Sequence, residues 1–153
     1  MNDSTSCQFR DGVPTVEDYC QLRLLAGLSA KTAEAASRAL PNTLFGVCAY
    51  QGSELVAMGR IVGDGGCHLQ VCDIAVVPRL QGQGLGKEVM RRLDAWMQAT
   101  LPPSAYVSLL ADGEAHRLYG PFGFAPTAPA SIGTYRSEGR PVGDGGVSWG
   151  AAH

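Results

Sequence analysis

No stretch of the chain approaches the roughly 18 consecutive apolar residues that a membrane-spanning helix needs, and no basic segment leads into an apolar run at the N-terminus. A soluble, cytosolic protein without a membrane partner is therefore expected. Excess charge of one sign is also missing. Twelve basic and 14 acidic side chains, with a pI near 5.9, leave no chain-wide positive field to hold nucleic acid. Metal-ligand spacing is absent too: the cysteines at 7, 20, 48, 67 and 72 are odd in number, contain no Cys-x-x-Cys pair and lack histidines at zinc-finger spacing. Reduced thiols are expected, with Cys48 and Cys72 acting as small buried hydrophobes inside apolar runs, and no metal site. What is present suffices for one core, since 45% of the 153 residues are hydrophobic. The reading is a single domain over 1–153, with residues 144–153 a loose tail.

The pattern changes period along the chain. Cys7 to Gly12 reads as an edge strand. Thr15 is placed to cap a helix from Val16 to Ala26, and a second, alanine-rich helix runs from Lys31 to Leu40 and stops at Pro41. Three strand-like runs follow: Phe45 to Gln51, Leu55 to Val62, and His68 to Val77. Gly52-Ser53 and the Gly63–Gly66 turn join them into an antiparallel meander. The segment from Gly84 to Ala99 carries Leu85, Val89, Leu93, Trp96 and Met97 at helical spacing, so one face should pack on the sheet. Tyr106 to Ala111 reads as a fifth strand, Asp112 as the cap of a short helix through Tyr119, and Ile132 to Arg136 as a last strand. The fold class expected is α/β, with a mixed, mostly antiparallel sheet of six or seven strands and helices on both faces.

Chemistry concentrates between Ile74 and Lys87, which reads Ile-Ala-Val-Val-Pro-Arg-Leu-Gln-Gly-Gln-Gly-Leu-Gly-Lys. Glycines at 82, 84 and 86 clear side chains from the start of a helix, where backbone N–H groups have no internal partner and the helix dipole adds positive potential. Such a terminus suits a pyrophosphate. A Walker loop is excluded, because Gly86-Lys87 is followed by Glu88 rather than Ser or Thr. A dinucleotide fold fits poorly, since the turn follows an antiparallel meander instead of opening a strand-helix-strand unit.

These residues resemble the GNAT acyltransferases, whose signature is Gln or Arg, two residues, Gly, one residue, then Gly or Ala; Gln81, Gly84 and Gly86 match it. The likeness covers about Leu44 to Phe124 well and the first forty residues in outline. It implies an N-acetyltransferase that passes an acetyl group from acetyl-CoA directly to a primary amine in a ternary complex. In that scheme Gln81, Gly82, Gln83, Gly84, Leu85, Gly86 and Lys87 hold the pyrophosphate. Ile74, Ala75 and Val76 lie along the pantetheine on a strand splayed from its neighbour, and the Ile74 N–H faces the thioester carbonyl as an oxyanion donor. A second match, Ala115 to Phe124, looks like the family's helix ending in Tyr, three residues, Gly-Phe, and puts Tyr119 at the cofactor and at the general-acid position. A phenol with pKa near 10 can return a proton to a thiolate of pKa near 8.5.

The base is harder to find. The family often places Glu or His on the strand from His68 to Val77. Counting back from Ile74 by even steps gives Cys72, Gln70 and His68, of which only His68 titrates usefully; Asp73 falls on the opposite face unless a bulge intervenes. Arg79 could touch a phosphate or stay solvated. By outline the resemblance also implicates Tyr19, Arg23 and Tyr135 in the acceptor pocket. A small-molecule amine or amino acid is the first choice of acceptor, and a protein N-terminal or lysine amine the second. A non-catalytic CoA-binding sensor is the alternative from another class, and a homodimer is left open.

Overall fold

A computed structural model of the chain describes residues 6–111, 115–135 and 138. Strand β1 (Gln8–Asp11) is followed by helices α1 (Val16–Leu25) and α2 (Ala33–Ala39), then β2 (Phe45–Gln51), β3 (Glu54–Gly63) and β4 (His68–Val76). Helix α3 (Leu85–Thr100), β5 (Tyr106–Ser108) and the short α4 (His116–Tyr119) complete the order. Both early helices start where a threonine hydroxyl can accept an otherwise orphaned amide. Thr15 Oγ1 takes Asp18 N–H at 3.2 Å, and Thr32 Oγ1 takes Ala35 N–H at 3.1 Å.

Among the described residues one sheet of five strands runs in the order β1-β2-β3-β4-β5, antiparallel except for the parallel β4–β5 pair. The mixed, mostly antiparallel class is as expected, and the strand count is lower. Ile132–Tyr135 is irregular, with Ile132 and Tyr135 71% and 76% exposed. A lone isoleucine in a segment rich in proline, alanine and serine has no alternating apolar face to bury, so nothing drives a further strand there. Arg136, the Asp112 cap and the 144–153 tail lie outside the described residues.

Successive residues of β3 face opposite layers. Arg60 points into the α1 side, where it bonds to Thr43 and Asp73. A side chain at Gly59 would point into α3: a Cβ there would sit 2.6 Å from Val89 Cγ1 and 3.2 Å from Leu93 Cδ1. The amphipathic face of α3 buries Leu85, Val89, Met90, Leu93 and Met97, and Trp96 stacks on Phe45 at 5.4 Å between ring centroids. Helix α1 buries Tyr19, Leu22 and also Arg23, an unusual residue for a core. All five cysteines are free, and Cys48 is buried as expected. No helix among the described residues is long and apolar enough to cross a membrane.

Candidate active site

The site begins with a mismatch between neighbouring strands. Strand β5 pairs with β4 only at His68↔Tyr106, Leu69↔Val107 and Gln70↔Ser108, while β4 continues to Val76 without it. From Val71 onward the β5-facing edge of β4 therefore has no strand partner among the described residues. Val77 N–H donates to Val56 C=O at 2.9 Å, so Val77 turns its polar groups toward β3. By alternation Ala75 does the same, and Ile74 and Val76 direct theirs into the opening. At present the Val76 carbonyl accepts a bond from the Gln81 side-chain amide at 3.1 Å. Gln81 thus ties the turn back onto the strand it follows.

At the far end of that edge the chain turns through Pro78–Leu80 and enters α3. Gly82 and Gly84 have φ of +77° and +88°, a left-handed backbone that glycine adopts without steric cost. Gly84 is the N-cap of α3 and supplies no side-chain bond; its carbonyl accepts Glu88 N–H at 3.0 Å, and a Cβ on it would meet nothing within 4 Å. The amides of Leu85, Gly86 and Lys87 precede the first intrahelical donor and open a sixteen-residue helix. Gly86 sits where three elements converge. Its Cβ would lie 3.5 Å from Leu118 Cδ2 on α4 and 3.7 Å from Val76 Cγ2 on β4. Helix α4 thereby abuts the first turn of α3 and brings in Tyr119, which is 8% exposed and meets Phe124 edge-on at 6.4 Å. Gln81 to Lys87 and Ile74 to Val76 thus border one opening, and α4, which ends in Tyr119, packs beside it.

The strand interior differs from simple alternation. Arg60 is opposite Cys72 and Met58 opposite Ala75, so β4 spends three steps where β3 spends two. This is a bulge at Asp73, whose φ is +59°. Cys72 and Asp73 consequently share the α1 face, the Cys72 thiol reaching Asp73 Oδ2 at 3.7 Å. Ile74 turns to the α3 side, where its Cδ1 would lie 2.5 Å from a Cβ on Gly59. The expectation that Cys72, Gln70 and His68 share a face with Ile74 is therefore corrected, because the extra residue reverses the phase. Asp73 does lie opposite Ile74. His68 is exposed at the start of β4, in edge contact with Tyr106 at 6.4 Å.

Asp73 is occupied. Its Oδ1 accepts from Arg23 Nη1; its Oδ2 accepts from Arg60 Nε at 2.6 Å and from Tyr19 Oη at 2.8 Å. Arg23 spends its other donors on Ser29, through Nε to the carbonyl at 2.9 Å and Nη2 to Oγ at 3.0 Å. Burial alone would raise the Asp73 carboxyl, but the bonds from Arg60 and Tyr19 and the two guanidinium charges prevail and hold it below the usual range. Burial and the neighbouring carboxylate push Tyr19 up to about 12 and the Cys72 thiol up to about 11. This network engages Tyr19 and Arg23, which the resemblance set near the acceptor, in holding Asp73. Nothing in the helical stripe of α1 foretold it; the visible signal was a charged residue inside each of two apolar segments, Arg23 and Asp73.

Arg79 pairs with Glu54 at 2.7 Å on the surface. Glu88 is shared by Arg91 and Arg92, so the outer face of α3 is laced by local ion pairs as its charge pattern suggests. Among the described residues no cluster of metal-ligating side chains occurs.

A splayed parallel edge running into a glycine-capped helix defines an acyltransferase architecture. The chain belongs to the acetyltransferase (GNAT) family, whose model matches residues 13–124. It is 46% identical to a protein from meticillin-resistant Staphylococcus aureus described as a probable acetyltransferase of unknown function; the match covers 86% of this chain and 98% of that one, with a TM-score of 0.83. A GNAT family acetyltransferase from Brucella melitensis, solved in complex with acetyl-CoA, shares the fold at 17% identity and TM-score 0.59, over 78% of this chain and 83% of that one. Among curated proteins the chain is 37% identical to serotonin N-acetyltransferase 2, chloroplastic, of rice over 85 residues. That match covers 54% of this chain, which spans only 42% of the relative's length.

Proposed function

We propose that the protein transfers an acetyl group from acetyl-CoA to a primary amine of a small molecule or amino acid, within a ternary complex. The observation that carries this reading is the continuity of one edge. The Ile74 to Val76 edge, which no strand pairs among the described residues on its β5 side, runs directly into the turn that presents the α3 amides. The diphosphate of acetyl-CoA would lie on the amides of residues 82–87, with the glycines keeping side chains clear. Its pantetheine amides would pair along Ile74 to Val76, displacing the Gln81 side chain from the Val76 carbonyl. The Ile74 N–H would donate to the thioester oxygen as the amine nitrogen bonds to the acetyl carbon. Tyr119 would protonate the departing thiolate, and water would carry off the amine proton.

A small aminated acceptor is supported by the rice relative, whose name specifies the amine serotonin. A cytoplasmic setting belongs to the same proposal and has no support from that relative, whose name places it in the chloroplast. A second reading, a CoA-binding module without catalysis, is favoured by the full engagement of Asp73. The test is calorimetric titration of acetyl-CoA, followed by thiol-release assays with serotonin, tryptamine, polyamines, free amino acids and peptide N-termini. Micromolar binding, with thiol released from acetyl-CoA in the presence of any small amine, supports the reading. Binding without turnover would favour the module, and turnover with peptides alone would move the acceptor class to proteins.

A further inference from the structure

We propose that Asp73 is a positioning residue: gripped by Arg23, Arg60 and Tyr19, its carboxylate fixes the one-residue bulge that sets the Ile74 N–H at the acyl site. The proposal rests on the acetyl-transfer reading for its purpose, though not for its geometry.

Strand β4 has two incompatible tasks. Its first half must register with β3 and β5, with Leu69 and Val71 buried. Its second half must place Ile74 against α3 and direct the Ile74 and Val76 polar groups into the opening. In an unbroken strand Ile74 would share the face of Cys72, toward α1, and every later side chain would be inverted, because a one-residue slip exchanges the faces of a strand. The inserted residue resolves this, but a left-handed φ within a strand carries a steric cost for any side chain, smallest for Asn and Asp, that the surroundings must offset. Here three donors from α1 and β3 converge on the carboxylate of the residue with that φ. Two of them come from α1 and one from β3, so the bulge is clamped from outside its own strand. An aspartate adds to glycine's tolerance of this backbone a charge that can be held from two elements at once.

The test uses full-length Asp73→Asn, which tolerates the left-handed backbone but loses the charge. Because that leaves two arginines uncompensated, Arg60→Gln is run in parallel; it removes one clamp and keeps Arg23 paired with Asp73. Residual dipolar couplings of the 72–76 amides in the unliganded proteins report the bulge directly. Isotope-edited infrared spectra of bound carbonyl-labelled acetyl-CoA report polarisation by the Ile74 N–H. Altered couplings are expected in both variants, with the thioester C=O shift toward lower frequency diminished, acetyl-CoA Kd within about 3-fold of wild type, and turnover reduced about 100-fold, as for loss of one oxyanion donor. Wild-type couplings in both variants would overturn the clamp. A retained carbonyl shift with only a lowered melting temperature would reduce Asp73 to a structural ion pair. Failure of the wild type to bind acetyl-CoA would instead remove the acetyl-transfer reading, and the couplings would still decide whether Asp73 holds the bulge.

Discussion

Replacing Gly84 by Glu should abolish high-affinity acetyl-CoA binding by placing a carboxylate where the α3 amides would meet the diphosphate. The site has room for a side chain, since no atom lies within 4 Å of a Cβ there, so steric collision with the protein is not the cause. Two effects remain. A residue with a side chain must adopt φ of +88°, at a cost of about 1–2 kcal/mol to folding. The new charge, about 5 Å from the nearest phosphate at an effective dielectric near 20, adds about 3 kcal/mol of repulsion, about a hundredfold in Kd. Gly84→Gln separates them, because it carries nearly the same shape and backbone strain without the charge. Calorimetry should show the Glu variant binding about 100-fold more weakly than the Gln variant, and the gap should narrow as salt rises from 20 to about 500 mM. Equal affinities for Glu and Gln at low salt would refute the placement of the diphosphate at this turn.

Gly59→Val should overpack the contact between β3, Ile74, Val89 and Leu93, costing about 1–3 kcal/mol, and a melting curve should move down by about 2–12 °C. Tyr119→Phe should leave acetyl-CoA affinity intact and lower kcat about 100-fold if the phenol protonates the thiolate; unchanged kcat would remove that assignment. Stability should fall as pH rises above about 9. Cys48, Cys72 and Tyr19 are held near 11, 11 and 12, above their usual 9, 9 and 10, so the native state retains protons the unfolded chain has lost. Urea titrations between pH 8 and 11.5 check this, and Tyr19→Phe should remove the part of the loss above pH 10. On the acid side the bonds from Arg91 and Arg92, against a smaller cost of burial, lower Glu88 from 4.5 to about 2, and Asp73 is lowered too. Their stabilisation is complete above the unfolded carboxylate range and should be lost as pH falls from about 4.5 toward 2, as far as the fold survives to report it.

The layout of the fold was legible because strong local signals agreed. Thr15 caps α1, Gly52-Ser53 closes β2 onto β3, and the apolar stripe of α3 is unambiguous. The bulge was not legible, for an identifiable reason. Leu69, Val71, Ala75 and Val77 keep even spacing along β4 and just past its end and are all buried, so the pattern looks continuous. Yet Leu69 and Val71 face α3 while Ala75 and Val77 face α1. Ile74 and Val76 fill the α3 side after the bulge, so both faces of the second half are apolar and alternation cannot register a change of phase. The expectation for Tyr135 rested on less. It belonged to an outline carried over from relatives, and the proline-rich segment around it has no apolar period to hold it against the sheet.

Tyr19 and Arg23 share one feature, which links helix α1 to strand β4. Tyr19 and Arg23 enter the core of α1 not as part of an apolar stripe but as partners for a charge 54 and 50 residues away. A buried ion cluster of this kind is seldom more stable than a well-packed apolar core, so its retention is better explained by geometry than by energy. Two guanidinium groups, a phenol and one carboxylate leave a surplus positive charge on the α1 side of the bulge, satisfied in part by Ser29 and Thr43. Replacing all four by apolar residues of similar volume could preserve stability while releasing β4 to regular pairing. Such a protein should melt at or above the wild-type temperature and lose turnover while α3 still binds the diphosphate. Stability and catalysis would then separate at Asp73, which is the behaviour required of a residue whose task is to hold a strand out of register.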